Sequence, residues 1–286
     1  MVTPLLRRRS WLAVLALLVP LVAVAGTASA QEPARVRVLQ LNLCGSGYAV
    51  CWTGRAAPRA AAVIRASAPD AVTLNETCAD DVPALRRALA GAHGRKGSVR
   101  TAFAAAADRR TGEPIRCRTG GPYGEAVLVW TPGGGGGVGA SGGPATTGAY
   151  RVQDPHQDEQ RVWACLPTDR LTVCTTHLTS GSPEVTLAQC TQLLRDVLPG
   201  VRAARPGVPV VVAGDLNLVA APAGPDAGVA ADRDLAACVP AGSRYRHADD
   251  GVQHVLSADL RPGAVRLLDM ARTTDHPGLL VSFSAG

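Results

Sequence analysis

Short apolar runs separated by amphipathic stretches recur along this chain and predict alternating strands and helices. The segment VRVLQLNL at 36–43 alternates apolar and polar positions, which predicts a strand with Asn42 near its end. Residues 58–66 place their apolar side chains on one helical face and predict a helix. A second strand, AVTLNET, follows and ends at Glu76. The pattern is therefore that of an α/β protein.

The central feature of the later chain is the segment PVVVAGDLN at 209–217. Three consecutive valines predict a short buried strand that Gly214 ends, so Asp215 and Asn217 stand at its C-terminal end and point the same way. A glycine-rich tract at 133–143 predicts a flexible surface loop. The remaining predicted elements are a helix at 81–90, strands at 101–105 and 125–130, a hairpin of 161–166 with 171–176, a helix at 183–198, and strands at 252–256 and 279–283.

Residues 1–30 have the pattern of an export leader that is removed from the mature protein. Arg7–Arg9 form a positive segment, residues 11–24 an apolar one, and Ala28–Ala30 a small-residue cleavage site. The arginine pair also approximates a twin-arginine signal, so both the Sec and the twin-arginine routes stay open. We therefore expect a secreted chain of residues 31–286, with no membrane anchor after cleavage. Nothing in the sequence indicates an oligomer, and we expect a monomer.

Cysteine and charge usage agree with export. All eight cysteines follow the leader, and an even number in an exported chain predicts disulfides. Cys165 and Cys174 flank a turn and would pair across the hairpin, while Cys44 and Cys51 would close a short loop. The remaining cysteines leave Cys78 with Cys117 and Cys190 with Cys238, and no geometric argument supports these two pairs. Zinc binding is disfavoured because the chain has no CxxC pair. The formal charge of +6 falls when the leader arginines leave, so charge is only a weak sign of a polyanionic partner.

Polar side chains stand at the ends of several predicted strands. They are Asn42, Glu76, His177, Asp215, Asn217, Asp275 and His276. Singly, each has an ordinary explanation as a turn residue or a solvated surface group. Together they supply carboxylates for a hard cation, amides that orient other groups, and histidines that exchange protons, which are the groups of metal-assisted phosphoester hydrolysis.

The order of these motifs resembles the endonuclease/exonuclease/phosphatase superfamily, which has the fold of pancreatic-type deoxyribonuclease. The segments that carry the resemblance are LQLNLCG, VTLNET, YGEAVLVW, EQRVWACL, TTHL, AGDLN and TTDHPGLLV. They span Val36–Phe283, and GDLN and the closing DH are the most specific of them. The resemblance implies one domain over 31–286 with a four-layer α/β/β/α sandwich fold and two mostly antiparallel sheets.

The same resemblance implies a divalent metal site. Glu76 would be the principal carboxylate ligand, with Asn42 and Asp275 supporting it. The implied ion is Mg²⁺, with Mn²⁺ or Ca²⁺ as alternatives.

The resemblance also implies catalytic and substrate-binding roles. Asp215 and Asn217 would position the attacking water and the phosphate, and His177 would stabilise the phosphoryl oxygens. His276 would act as base or acid. Arg161, in an ExR segment typical of the family, would contact phosphate.

Two positions depart from the family pattern. Gln253 stands where an aspartate usually orients the catalytic histidine, and a glutamine can accept a hydrogen bond from His276 but cannot stabilise an imidazolium by charge. We therefore predict a slower or differently tuned enzyme, unless Asp249 or Asp250 supplies the charge. Asn75 replaces a frequent glutamine before Glu76, and this change keeps an amide.

The fold class does not choose the substrate, because the superfamily includes nucleases, inositol-phosphate phosphatases and sphingomyelinases. A sphingomyelinase should present an exposed apolar hairpin, and aromatic residues make up only 3% of this chain. We therefore expect a phosphodiesterase or endonuclease acting on nucleic acid, with a phosphatase or sphingomyelinase as the alternative. A catalytically weak binding module is the alternative of another class, and the Gln253 change favours it. A basic segment could bind a duplex or be an ordinary solvated loop, and its members are Arg95, Lys96, Arg100, Arg109, Arg110, Arg116 and Arg118.

Overall fold

The computed structural model describes residues 1, 35–94, 97–133, 142–220, 231–242, 245–249 and 251–285. The predicted export leader and the middle of the glycine-rich tract lie outside these ranges. All elements described below belong to the unit Pro33–Gly286. Within the described ranges, no helix has the combined length and apolar character needed to cross a membrane.

The described chain alternates strands with a few helices. Its strands are β1 (Val36–Asn42), β2 (Ala71–Cys78), β3 (Gly97–Ala105), β4 (Tyr123–Pro132), β5 (Thr146–Ala149), β6 (Val162–Pro167), β7 (Thr172–His177), β8 (Val210–Asp215), β9 (Arg246–Asp249), β10 (Gln253–Ser257), β11 (Leu260–Leu268) and β12 (Gly278–Ala285). Its α-helices are α1 (Ala56–Ser67), α2 (Val82–Ala92), α3 (Pro183–Gln192) and α4 (Leu198–Ala204). A π-helical segment, Leu193–Val197, joins α3 to α4.

The strands form two six-stranded sheets, each with one parallel pair at its centre. The orders are β11-β12-β1-β2-β4-β3 and β5-β6-β7-β8-β10-β9. The central pairs β1/β2 and β7/β8 are parallel, and their other neighbours are antiparallel. Because both strands of a parallel pair end at the same edge, Asn42 and Glu76 share one edge, and His177 and Asp215 share the corresponding edge of the other sheet.

Three apolar layers hold the sandwich together. Val38, Val127, Val173 and Val211 belong to the layer between the two sheets. The layer between the first sheet and helices α1 and α2 contains Ile64 and its neighbours, and the other outer layer covers the second sheet with α3 and α4. The predicted four-layer α/β/β/α sandwich is confirmed.

All four predicted disulfides are present, and the described chain has no free cysteine. The two pairs with a geometric argument are Cys44–Cys51 and Cys165–Cys174, the second across a register pair of β6 and β7. The other two are Cys78–Cys117 and Cys190–Cys238. The Cys44–Cys51 and Cys165–Cys174 disulfides are local in sequence. The other two disulfides join distant segments.

The sequence patterns missed three strands and misplaced several boundaries; β3, for example, begins at Gly97 and not at residue 101. β5 and β9 are only four residues long, and β11 contains a proline and a glycine, which weaken a strand pattern. β11 tolerates them because it is an edge strand with an irregular register after Pro262. The helix predicted to end at Leu198 continues to Ala204, because the π-helical segment carries it past the expected end.

Candidate active site

A cavity of about 490 Å³ opens where the central strand pairs of the two sheets end. Seven of the residues selected from the sequence line it, and they are Glu76, Arg161, His177, Asp215, Asn217, Asp275 and His276. The other two, Asn42 and Gln253, are buried behind this lining. The fold thus brings together residues from both ends of the chain.

Glu76 reaches the cavity because β2 is irregular at this residue. The pairing of β2 with β4 shifts register between Leu74 and Thr77, and Glu76 has a left-handed backbone with a φ of +51°. In a regular strand, Glu76 would lie on the same face as Leu74, which packs in the layer facing the helices. The bulge re-aims the carboxylate, and the carbonyl of Glu76 accepts a hydrogen bond from the Gly45 N–H at 2.7 Å.

Asn42 holds two carboxylates that come from different sheets. Its Nδ2 donates to Glu76 Oε1 at 2.9 Å and to Asp215 Oδ2 at 3.2 Å. Its Oδ1 accepts from the backbone N–H of Cys44 at 3.0 Å. Because both ends of the amide are engaged, Asn42 in this arrangement orients the carboxylates through its N–H groups.

Asp215 lies between the two histidines of the cavity. Its Oδ2 is 3.5 Å from His276 Nε2 and 3.8 Å from His177 Nε2. Its Oδ1 accepts from the backbone N–H of Asn217, whose φ is +48°. The Asn217 side chain donates to the Leu178 carbonyl at 2.9 Å, which ties the turn after β8 to the end of β7. Burial raises the pKa of Asp215, and His276 acts in the opposite direction.

His177 is uncharged at neutral pH. Burial lowers its pKa well below the usual value, and the positive charges of Arg161 and His276 act in the same direction. Its Nδ1 is 3.8 Å from Glu76 Oε1 and has no hydrogen-bond partner among the described residues. A neutral imidazole can donate one N–H to an oxyanion and keep one lone pair.

Arg161 lies in the wall of the cavity with its charge partly compensated. Its Nη1 donates to Glu159 at 2.9 Å, and its Nη2 donates to Gln157 at 3.3 Å. Its Nε is buried without a partner in the described structure. These two hydrogen bonds use two of the five N–H groups of the guanidinium, so Arg161 keeps donors for a substrate oxygen, but the nearby Glu159 carboxylate reduces its attraction for an anion.

The donor set of the cavity fits a divalent cation. Four carboxylates line it, those of Glu76, Glu159, Asp215 and Asp275, against the single guanidinium of Arg161. Burial raises the pKa of Glu76, and the charges of Glu159 and Asp215 also raise it. Such excess negative charge in a partly buried site is what a hard cation with oxygen ligands would compensate.

Gln253 holds the backbone next to His276. It is fully buried on β10, where it is the register partner of Asp215. Its Nε2 donates to the Pro277 carbonyl at 2.9 Å, and its Oε1 accepts from Gln40 at 3.4 Å. Asp250 and the side chain of Asp249 lie outside the described residues, so their predicted contribution stays a prediction.

The described members of the basic segment, which could bind a duplex or form an ordinary solvated loop, lie on two different elements, β3 and the loop between β3 and β4. Arg95 and Lys96 lie outside the described residues. Arg100 is on β3, five residues before the end that pairs with the cavity end of β4, and it donates to the carbonyls of Pro167 and Gly143. Of the described members, four lie in the loop at the cavity end, and they are Arg109, Arg110, Arg116 and Arg118.

A buried polar network that the sequence analysis did not identify supports the site from between the sheets. Asn75 Oδ1 accepts from Gln40 Nε2 at 2.6 Å and from the backbone N–H of Asp215 at 2.7 Å. Its Nδ2 donates to Glu125 and, at 3.0 Å, to the Thr176 carbonyl. This one amide therefore contacts five strands, β1, β2, β4, β7 and β8, and fixes the position of Asp215 relative to the first sheet.

Replacing Glu125 by Gln should raise the melting temperature at pH 8 and leave it nearly unchanged at pH 4. Burial raises the pKa of Glu125 well above its usual value, so the folded state keeps a proton that the unfolded chain releases. The wild type therefore loses stability as pH rises above the unfolded pKa, whereas the variant does not. We expect a gain of about 2–4 °C for each kcal/mol recovered.

The measurement is thermal unfolding of the Glu125→Gln variant and the wild type in EDTA between pH 4 and pH 8. Glu113, which is exposed, provides the matched control Glu113→Gln, and it should show no gain that grows with pH. An equal effect of Glu125→Gln at both ends of the pH range would contradict the prediction.

Comparison with known proteins finds a matching family and similar folds. Residues 39–245 match the profile of the Endonuclease/Exonuclease/phosphatase family. The chain is similar to an endonuclease/exonuclease/phosphatase from Beutenbergia cavernae, at 22% identity and a TM-score of 0.60, over 88% of this chain and 72% of that one. It is also similar to the human Nocturnin catalytic domain, solved with a bound sulfate anion, at 16% identity and a TM-score of 0.59, over 89% and 94% of the two chains.

A third similar structure is ANGEL2, a 2′,3′-cyclic phosphatase, in complex with adenosine-2′,3′-vanadate. It is 16% identical, with a TM-score of 0.55 over 89% of this chain and 97% of that one. At these identities, the structural likeness shows a shared fold. No curated protein matches the sequence.

Proposed function

Because the chain belongs to the endonuclease/exonuclease/phosphatase family, whose members hydrolyse phosphoester bonds, we propose that it is a secreted, Mg²⁺-dependent phosphodiesterase acting on nucleic acid. The observation that carries the proposal is the single cavity in which Glu76, His177, Asp215 and His276 face one another. We also propose that residues 1–30 are removed on export. Four disulfides in the chain support an oxidising destination.

Family enzymes generally use divalent metal ions, and the carboxylates of this cavity suit one. Glu76 and Asp275 would hold the cation, and Asn42 would keep the Glu76 carboxylate oriented through its 2.9 Å hydrogen bond. A bound cation would compensate negative charge on the phosphoryl oxygens.

The remaining residues would manage the attacking water and the phosphoryl group. Asp215 would accept a hydrogen bond from the water and, with Asn217, hold it in line. His177, neutral because of burial, would donate an N–H to a phosphoryl oxygen. His276, whose Nε2 is 3.5 Å from Asp215, would transfer a proton during the reaction, and Arg161 would contact a second phosphoryl oxygen.

Two features favour a phosphodiester of nucleic acid over a lipid head group or a phosphomonoester. Arg116 and Arg118 lie exposed in the loop at the cavity end, where they would meet the flanking phosphates of a polymer. One of the similar structures, ANGEL2, is a 2′,3′-cyclic phosphatase, so phosphodiester chemistry at a nucleotide occurs on this fold. A phosphatase remains the second candidate, because the same cavity would accept a phosphomonoester.

The test is nicking of plasmid DNA by the oxidised mature protein, with Mg²⁺ and with EDTA. Parallel assays measure phosphate release from a phosphomonoester and phosphocholine release from sphingomyelin vesicles. We expect nicking that EDTA abolishes, with little activity on the other two substrates. Activity confined to one of those substrates would replace the nuclease assignment, and inactivity of the disulfide-bonded protein in all assays would favour the binding module.

A further inference from the structure

Tyr48 is the only exposed aromatic side chain in the described part of the chain. It is 72% exposed, whereas the other described aromatic residues are buried or half-buried. Tyr48 also lines the cavity that contains Glu76 and His276. Tyr48 therefore presents an aromatic ring to solvent at the rim of the cavity, where a bound substrate would meet it.

The loop that carries Tyr48 is held in place by several cross-links. The Cys44–Cys51 disulfide closes the loop itself. The Ser46 carbonyl accepts from the backbone N–H of Arg118 at 2.8 Å, and Ser46 Oγ accepts from the N–H of Tyr48 at 3.2 Å. Gly47 has a φ of +93° and packs against Arg118, so no larger residue fits there without displacement. The backbone under Tyr48 is therefore fixed before any ligand binds, which reduces the entropy lost on binding.

A positive charge lies on the loop that is hydrogen-bonded to the Tyr48 loop through Ser46. Arg118 is exposed, and its guanidinium lies over the ring of Trp52, with the Cζ atom 5.2 Å from the ring centroid. The neighbouring Cys117 is bonded to Cys78 at the end of β2, which anchors this loop to the same strand as Glu76. The rim thus offers a flat apolar ring and a held guanidinium beside a cavity suited to a phosphate.

We propose that Tyr48 is a stacking platform for a nucleobase next to the scissile phosphate, with Arg118 contacting the adjacent phosphate. The proposal rests on the proposed function and specifies its substrate, because a base can lie on Tyr48 only when it is unstacked from its neighbours. The preferred substrate is therefore single-stranded nucleic acid. A membrane surface fits less well, because Tyr48 and Val50 are the only exposed large apolar residues of this loop, and Val50 does not line the cavity.

The experiment compares two substrates of equal length and charge, a single-stranded DNA oligomer and an oligomer of abasic deoxyribose phosphates. Tyr48→Ala should lower kcat/KM for the DNA oligomer roughly ten- to hundredfold, mainly through KM, and leave kcat/KM for the abasic oligomer unchanged. Tyr48→Phe should keep the wild-type values, because stacking needs the ring and not the hydroxyl. Val50→Ala, in the same loop, is the matched control and should affect neither substrate.

Three results of the cleavage and vesicle assays would overturn the proposal. Equal losses on both oligomers would show that Tyr48 acts on the fold of the loop, and no loss on either would show that it contacts no base. Reduced binding of Tyr48→Ala and Val50→Ala to sphingomyelin vesicles, with cleavage of DNA unchanged, would identify a membrane contact instead. If the wild type cleaves neither oligomer, the proposed function fails. Fluorescence anisotropy with Mg²⁺ then tests this inference separately, by comparing how tightly the wild type and Tyr48→Ala bind the DNA oligomer. Equal DNA binding by wild type and Tyr48→Ala, or no binding by either, would overturn it.

Discussion

Replacing Glu76 by Gln is expected to lower kcat/KM by about 1,000-fold or more while the protein stays folded. The variant keeps an Oε1 atom that can accept the hydrogen bond from Asn42, so the bulge of β2 keeps its support. It loses the charge that would hold a divalent cation, and charge stabilisation by a metal ion contributes several kcal/mol, with about 1.4 kcal/mol for each tenfold in rate. The measurement is steady-state cleavage of an oligonucleotide at saturating Mg²⁺.

Thermal unfolding separates this loss from misfolding. Burial raises the pKa of Glu76, so the ionised carboxylate destabilises the folded state above the unfolded pKa, and Glu76→Gln in EDTA should melt at the wild-type temperature or higher. Mg²⁺ should raise the melting temperature of the wild type and not that of the variant. The exposed Glu113→Gln serves as control and should match the wild type in both respects. A variant that retains Mg²⁺-dependent activity would exclude Glu76 as the principal ligand.

The position of Glu76 also shows which part of the site a sequence pattern can predict. Regular alternation places Asn42 at the end of β1, and the valine run predicts β8, so the edge at which these groups meet was predictable. The prediction that Gly214 ends this strand was wrong, because Gly214 pairs with Thr176 and His254 and β8 continues to Asp215. The bulge that turns Glu76 toward that edge was not predictable. A left-handed conformation at a glutamate is unfavourable on its own and persists here only because the surrounding tertiary structure holds it.

The network around Asn75 was missed for a related reason. Gln40 and Asn75 are polar residues at positions that face the layer between the sheets, and this break in the alternation was a readable signal of a buried polar group. Their partner, Glu125, belongs to β4, and the backbone N–H that Asn75 accepts belongs to β8. Such pairings depend on how the two sheets pack, which the local periodicity of a strand does not contain.

The basic segment shows the same limit, because closeness in sequence does not fix where side chains lie in the fold. Its members are close in sequence, but Arg100 lies within the edge strand β3, whereas Arg118 lies in the loop after it. Arg100 is five residues before the end of β3 at Ala105, which separates the two residues by about 17 Å. Tyr48 and Arg118 show the opposite case, because they are far apart in sequence but lie on loops that meet. The exposure of Tyr48 and its place at the rim depend on this meeting of the Cys44–Cys51 loop with the loop of Arg118.

The second large effect is expected for Asp215→Asn, which should lower kcat by about 100- to 10,000-fold. The asparagine keeps the size of Asp215 and can still accept the N–H of Asn217, so the turn after β8 should persist. It removes the negative charge that lies 3.5 Å from His276 and 3.8 Å from His177, and with it the group proposed to orient the attacking water. Asp196→Asn, at an exposed ion pair with Arg151, is the matched control and should leave kcat unchanged.

The pH dependence gives this prediction a second readout. Burial raises the pKa of Asp215 above its usual value, so its carboxylate should become protonated as pH falls through that raised value, and the wild-type rate should fall with it. The Asp215→Asn variant lacks this carboxylate, so its residual rate should not fall at acid pH in this way. A variant within tenfold of the wild type, or one whose acid limb is unchanged, would show that the titrating group is another residue. Asp215 would then serve only to hold Asn42 and the turn of Asn217, with the chemistry resting on His276 and Glu76.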